Sequence, residues 1–279
     1  LGRVEHQLVA GLAIREHGDP AAPGILLWPG LGATGAYWAS IAGRLPGRAV
    51  AVDPPGWAGS PRMADCTYEQ LVQAACAVVD RRRCHAIVGH SLGAYVAIGV
   101  AAARPAELRT AVLIDGGFMD AHQMSGIGLP VTASRADLTA WLRENDPRFP
   151  DWDTATQELA AMLGSDQTPE FDAYLREVFA EQDGEIRERA SPEVAADALL
   201  AVFDPGVRIP AAAIGVPTLL IACGQPAERR ATRESAWQTL AASSPSIETY
   251  VADDWGHNPV LQDPAGSSIV IGDWLRRHL

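Results

Sequence analysis

In the stretch VGHSLGAYVAIGV, residues 88–100, Ser91 stands between Gly89 and Gly93. An apolar run ends at Val88 and a small-residue segment of helical character begins near Leu92, which leaves almost no chain for the turn. A residue at the apex of so tight a turn is strained, and its neighbours two positions away crowd it unless they lack a Cβ. The two glycines lift the Ser91 hydroxyl clear of the strand and put the Leu92 N–H at a helix N-terminus, where it stabilises developing negative charge. The chemistry this prepares is nucleophilic attack, which requires a base because serine is a poor nucleophile at its own pKa. Of the seven histidines, His257 is the best candidate, on a glycine-containing loop after Asp253, Asp254 and Trp255. His90 adjoins the serine but points elsewhere on the turn and is expected to pack beneath it.

The elements that must position these groups follow from hydrophobic patterning. VEHQLVA and LAIREHG read as a hairpin; GILLWPG, RAVAVDPPG, CHAIVGH and RTAVLIDGG read as buried strands. CTYEQLVQAACAVVDRRR opens with Thr67 and Gln70 in capping-box spacing and continues at helical period. Strands separated by helices imply a parallel sheet covered on both faces. After residue 117 the pattern changes: SRADLTAWLREN, DTATQELAAML, TPEFDAYLREVFAEQ and SPEVAADALLAVF all read as helices, the last two with Pro169 and Pro192 at the first helical position. Phe171, Tyr174, Leu175, Val178 and Phe179 fall on one helical face. Alternation resumes with VPTLLIACG, a helix through ERRATRESAWQTLAA, the strand SIETYVA and a closing helix. The expectation is a core of residues 1–117 and 209–279 interrupted by a helical insertion, residues 118–208.

Composition limits the function classes. The chain has 279 residues, 48% of them hydrophobic, enough for one large core with a smaller attached unit. Its formal net charge is −12 and every basic residue is an arginine, which argues against nucleic acid or an anionic membrane as partner. Cys66, Cys76, Cys84 and Cys223 form no C-x-x-C pair, so neither a zinc site nor a disulfide framework is expected. No metal or organic cofactor is called for. No run of about 18 apolar residues occurs, and LGRVEHQLVAG lacks the build of a signal peptide, so a cytoplasmic protein acting on a small molecule is expected.

With these motifs in place the chain resembles the α/β-hydrolase family along essentially its whole length. GHSLG matches the nucleophile elbow, WPGLGATGAYW the loop of the second oxyanion donor, DPPGWAGS the turn after the fourth strand, and DDWGHNP the histidine loop. The resemblance implies a mostly parallel eight-stranded sheet flanked by helices, with residues 118–208 as a cap. It also implies Ser91 as nucleophile, His257 as base, and the backbone N–H groups of Leu31 and Leu92 as oxyanion donors. Pro29 stands where many relatives carry histidine; because the donor is main chain, this departure alters loop packing more than chemistry.

The third member of the relay departs from the commonest family pattern. Most relatives carry an acid after the seventh strand, but ACGQPAERR has Ala227 at that spacing, with Glu228 one residue late. In some branches, haloalkane dehalogenases and certain lactonases among them, the acid follows the sixth strand, the place of Asp115 here. Asp115 is the preferred acid and Glu228 the reserve. The implied reaction is acyl transfer through an acyl-enzyme, on a medium-to-large apolar ester or lactone; the arrangement is similar to that of enzymes opening large lactones, such as mycotoxin lactonases. A thioesterase, a carbon–carbon bond hydrolase and a catalytically weak binding relative remain open alternatives. Gly30 and Trp28 on the core side, and Met124, Trp141 and Trp152 in the insertion, are the expected substrate contacts.

Overall fold

The structure, a computed structural model, describes residues 7–279. In chain order its strands are β1 (Gln7–Val9), β2 (Leu12–His17), β3 (Gly24–Trp28), β4 (Arg48–Val52), β5 (Cys84–His90), β6 (Thr110–Ile114), β7 (Arg148–Phe149), β8 (Phe179–Gln182), β9 (Glu185–Glu188), β10 (Thr218–Cys223) and β11 (Ile247–Ala252). Eight of these form one sheet in the order β1-β2-β4-β3-β5-β6-β10-β11. β1 and β2 pair antiparallel, as do β2 and β4, and all other neighbours are parallel. The expected first hairpin is therefore present from Gln7 onward, closed by Ala10 and Gly11, both at positive φ as a two-residue hairpin turn requires; Val4–His6 lie outside the described residues.

The central strands carry continuous apolar runs because each faces two cores. Along β3, Leu26 and Trp28 enter one hydrophobic cluster while Ile25 and Leu27 enter the other. β6 repeats this, with Ala111 and Leu113 on the first side and Val112 and Ile114 on the second. Such runs mark strands covered on both faces. The helix Tyr68–Arg82 begins with the expected capping box at Thr67 and Gln70 and ends at Arg83, at φ +47°. Helix Leu92–Ala103 is buried along nearly its whole length, which is why its sequence shows no polar face.

Between β6 and β10 the chain forms the helices Ala121–Gly126, Arg135–Glu144, Trp152–Leu163, Pro169–Val178 and Pro192–Phe203. One expectation is corrected here. TPEFDAYLREVFAEQ is not helical throughout: the helix stops at Val178, and β8 pairs with β9, and β9 with β7, in a small antiparallel sheet. Asp183 and Gly184, both at positive φ, close the β8–β9 hairpin. Phe179, at the helical spacing, is buried in the same cluster as Phe171 and Tyr174 but from a strand. A buried ionic node ties this segment to the sheet. Arg15 of β2 pairs with Asp53 at 3.0 Å and with Glu177 of helix Pro169–Val178 at 2.8 Å, and the Gly35 N–H also donates to Asp53.

Candidate active site

β5 ends at His90 and the following helix starts at Leu92, so Ser91 alone makes the reversal, at φ +52° and ψ −118°. An L-residue in that region is strained and persists only where its surroundings fix it. The Ser91 N–H donates to the carbonyl of Ile114 at 2.8 Å. A Cβ at Gly89 would lie 2.3 Å from the Gly93 oxygen, and one at Gly93 2.4 Å from the Trp28 oxygen. The space the two glycines leave is taken by the helix start and the end of β3 rather than by the serine: they let the helix start lie directly against the ends of β3 and β5. Gly116 closes the other side, where a Cβ would meet the Ser91 oxygen at 2.1 Å.

Three side chains form one hydrogen-bonded chain at this edge of the sheet. The Ser91 hydroxyl donates to His257 Nε2 at 2.9 Å, and His257 Nδ1–H donates to Asp115 Oδ2 at 2.7 Å. The carboxylate accepts only, so it fixes the imidazole tautomer. Asp115 follows β6 directly at φ +45°, its N–H bonded to the Ile221 carbonyl. Its side chain is 1% exposed and that of His257 51%. Burial works to raise the Asp115 pKa, but the hydrogen bond from His257 and the charges of His257 and Arg233 outweigh it, and the carboxyl is held below the usual range. Glu228 stands on the exposed turn after β10 and, among the described residues, its side chain has no hydrogen bond or ion pair. Asp115, not Glu228, meets the imidazole.

Two further side chains support this chain. Arg233 is buried and pairs with Asp115 Oδ1, which also accepts from the Cys223 N–H at 3.1 Å; its other nitrogen donates to the Gln225 carbonyl at 2.8 Å. The two carboxylate oxygens therefore have separate partners. Sequence reasoning missed Arg233, although a signal existed: Arg233, Ala236, Trp237 and Leu240 form the buried stripe of helix Arg230–Ser243. A charge on such a stripe requires a buried counter-charge. His90 lies beneath the turn as expected, stacked on Tyr37 with ring centroids 4.8 Å apart, its Nε2–H donating to the His257 carbonyl at 2.6 Å. Burial and the neighbouring His257 push its pKa down to about 3.

Ser91 and His257 open into a cavity of about 560 Å³. Leu92, Tyr95, Phe118, Met119, Leu199 and Phe203 form its apolar body, and Met124, Ile127, Leu129 and Trp141 its wall in the segment after β6. Leu31 borders it as well. Of the expected contacts, Met124 and Trp141 line this space. Gly30 sits behind the serine, where a Cβ would lie 3.0 Å from that of Ser91. Trp28 and Trp152 are elsewhere. Strand alternation sends Trp28, fully buried, to the side packed by helices Tyr68–Arg82 and Leu92–Ala103 with Leu26, and Trp152 packs against the second cluster with the Arg176 guanidinium 4.4 Å above its ring. Among the described residues no group of His, Cys, Asp and Glu is arranged to hold a metal ion, the four cysteines are unpaired, and no helix is long and apolar enough to cross a membrane.

An eight-stranded, mostly parallel sheet with a serine at the turn after its fifth strand defines a hydrolase class, and comparison with known proteins gives the same class. Residues 25–266 match the model of the alpha/beta hydrolase family. The chain belongs to that family, and by family it is a hydrolase. It is similar, at 32% identity over 107 residues, to a Variovorax paradoxus (strain S110) protein named as a carbamate hydrolase, RutD; the match spans 36% of this chain and 40% of that relative's length. Among solved structures it is similar to E-2-(acetamidomethylene)succinate hydrolase, with a TM-score of 0.75, 18% identity and 95% of each chain covered. An esterase from Exiguobacterium antarcticum aligns with a TM-score of 0.71 at 15% identity, over 97% of this chain and 98% of that one. At these identities the structural likeness speaks for the fold.

Proposed function

We propose that the chain is a serine hydrolase that opens carboxylic esters or lactones of medium-to-large apolar substrates through an acyl-enzyme. The observation that carries this reading is the unbroken relay from Ser91 Oγ through the His257 ring to Asp115, with its serine end facing a mostly apolar cavity. Ser91 attacks the carbonyl carbon while His257 Nε2 takes its proton and then delivers it to the leaving oxygen. Asp115 orients the imidazole and stabilises its charged form. Water, deprotonated by the same Nε2, then releases the acid and restores the serine. The tetrahedral oxyanion is received by the N–H groups of Leu31 and Leu92; both residues border the cavity, and among the described residues neither N–H donates to another backbone carbonyl. Residues 118–208 act as the cap that excludes water.

The carbamate in the name of the Variovorax paradoxus relative would be open to the same attack. The apolar wall favours a larger and less polar molecule, because burying a small polar one in this cavity leaves hydrogen bonds unmade. A fluorophosphonate probe and a series of aryl esters and macrocyclic lactones test the reading. Rapid labelling and turnover that are both lost in Ser91→Ala support it. Folded wild-type protein that neither labels nor turns over any of these substrates refutes it.

A further inference from the structure

The charges of the cavity wall do not balance. Besides His257 it holds Asp115, Arg229 and Arg233. Asp115 and Arg233 neutralise one another as a buried pair. Arg230, which follows Arg229 in the chain, is held by Asp253 at 2.6 Å and by Glu234 at 3.9 Å. Of the three arginines at the start of this helix, only Arg229 has no ion pair, and its side chain has no hydrogen bond, among the described residues. This is so in a chain with 34 acidic residues against 22 basic ones. Arg229 is exposed and lines this space together with Gln225, Pro226 and the apolar residues of the insertion. A guanidinium presents a planar donor fork that fits a carboxylate with two parallel bonds. Beside an apolar wall such a bond is screened less than in open water.

From this we infer that the substrate of the proposed serine hydrolase is amphiphilic: it carries an anionic group, a carboxylate, that pairs with Arg229, while its apolar body fills the space lined by Leu92, Phe118, Leu199 and Phe203. The inference rests on the acyl-transfer reading and narrows its substrate class. A net charge of −12 disfavours anions near the surface in general, so one uncompensated cation in the cavity wall selects among them by position.

The test compares p-nitrophenyl esters of ω-carboxylated acids, six to ten carbons long, with neutral esters of the same lengths. 4-Carboxyphenyl esters are added to place the charge on the leaving group. For the best-fitting anionic ester, Arg229→Ala should lower the ratio of anionic to neutral kcat/KM by about tenfold, as expected for a lost charge-assisted bond. Arg229→Lys should recover part of the ratio, and added salt should compress the wild-type preference. If neutral esters turn over in a Ser91-dependent way but the ratio is the same in wild type and Arg229→Ala for every ester, this inference is overturned and the hydrolase reading stands. If the wild type hydrolyses neither kind, the hydrolase reading itself fails and the inference falls with it.

Discussion

Replacing His90 by glutamine should flatten the acid limb of the stability curve. The imidazole is enclosed between Tyr37 and the serine turn and donates one hydrogen bond to the His257 carbonyl. Its pKa falls from an ordinary 6.5 to about 3. In the unfolded chain His90 takes up a proton as the pH drops through 6.5, while in the native protein it stays neutral until about 3. Below 6.5 the unfolded state therefore binds more protons, so the stability tied to this group is fully present above 6.5 and is lost as the pH falls toward 3. Each pH unit inside that window costs about 1.4 kcal/mol. Between pH 6 and pH 4 the wild type should lose about 2–3 kcal/mol more than His90→Gln, which has no proton to gain there. Glutamine keeps an N–H donor but not the stacked ring, so the variant starts less stable at pH 7 by an offset that does not vary with pH. Urea unfolding followed by tryptophan fluorescence at several pH values gives both curves. Parallel curves would mean that native His90 titrates normally, and the sealed neutral imidazole beneath the serine turn would be wrong.

Two other outcomes are expected. Asp115→Asn should lower turnover by about 10⁴-fold by disturbing the imidazole tautomer, while Glu228→Gln leaves it within a factor of about two; steady-state kinetics on an aryl ester reads both, and the reverse result would move the acid to the turn after β10. Trp141→Ala should lower kcat/KM for a bulky aryl ester about tenfold through lost contact area, whereas Trp152→Ala should change only the melting temperature; equal kinetic effects would contradict the different positions of the two rings.

What could be read from the sequence was local. The buried strands announce themselves because a strand facing two cores is apolar at every position, and helix Tyr68–Arg82 because its cap is written in four consecutive residues. The spacing around Ser91 was legible in part for the same reason: the crowding that demands Gly89 comes from Gly93 and Ala94 a few residues on, whereas Gly93 is demanded by Trp28 and Pro29 at the end of β3, a contact between distant segments. The misreadings are all contacts between distant segments or patterns that two structures share. Phe179 continues the helical period of Phe171 and Tyr174 and is buried with them, so nothing in the apolar spacing marks the change to a strand; the Asp183-Gly184 turn did mark it. The choice between Asp115 and Glu228 was not a misreading, since Asp115 was preferred, but the two follow neighbouring strands of the sheet and only the structure shows which carboxylate meets the imidazole. Arg233 looks like surface charge until its stripe is laid against Asp115, 118 positions away in the chain.

The position of Asp115 frees another part of the chain. With the carboxylate beside His257 supplied by the end of β6, the turn 224–229 after β10 answers to no demand for a fixed acidic oxygen, yet Gln225, Pro226 and Arg229 still border the cavity. Side-chain exchanges across 225–228 are thus separated from proton transfer, and this is where a randomised library should diversify selectivity at little cost in rate. Arg233, four positions beyond Arg229, marks where that tolerance ends, because any replacement there strips a buried carboxylate of its counter-charge.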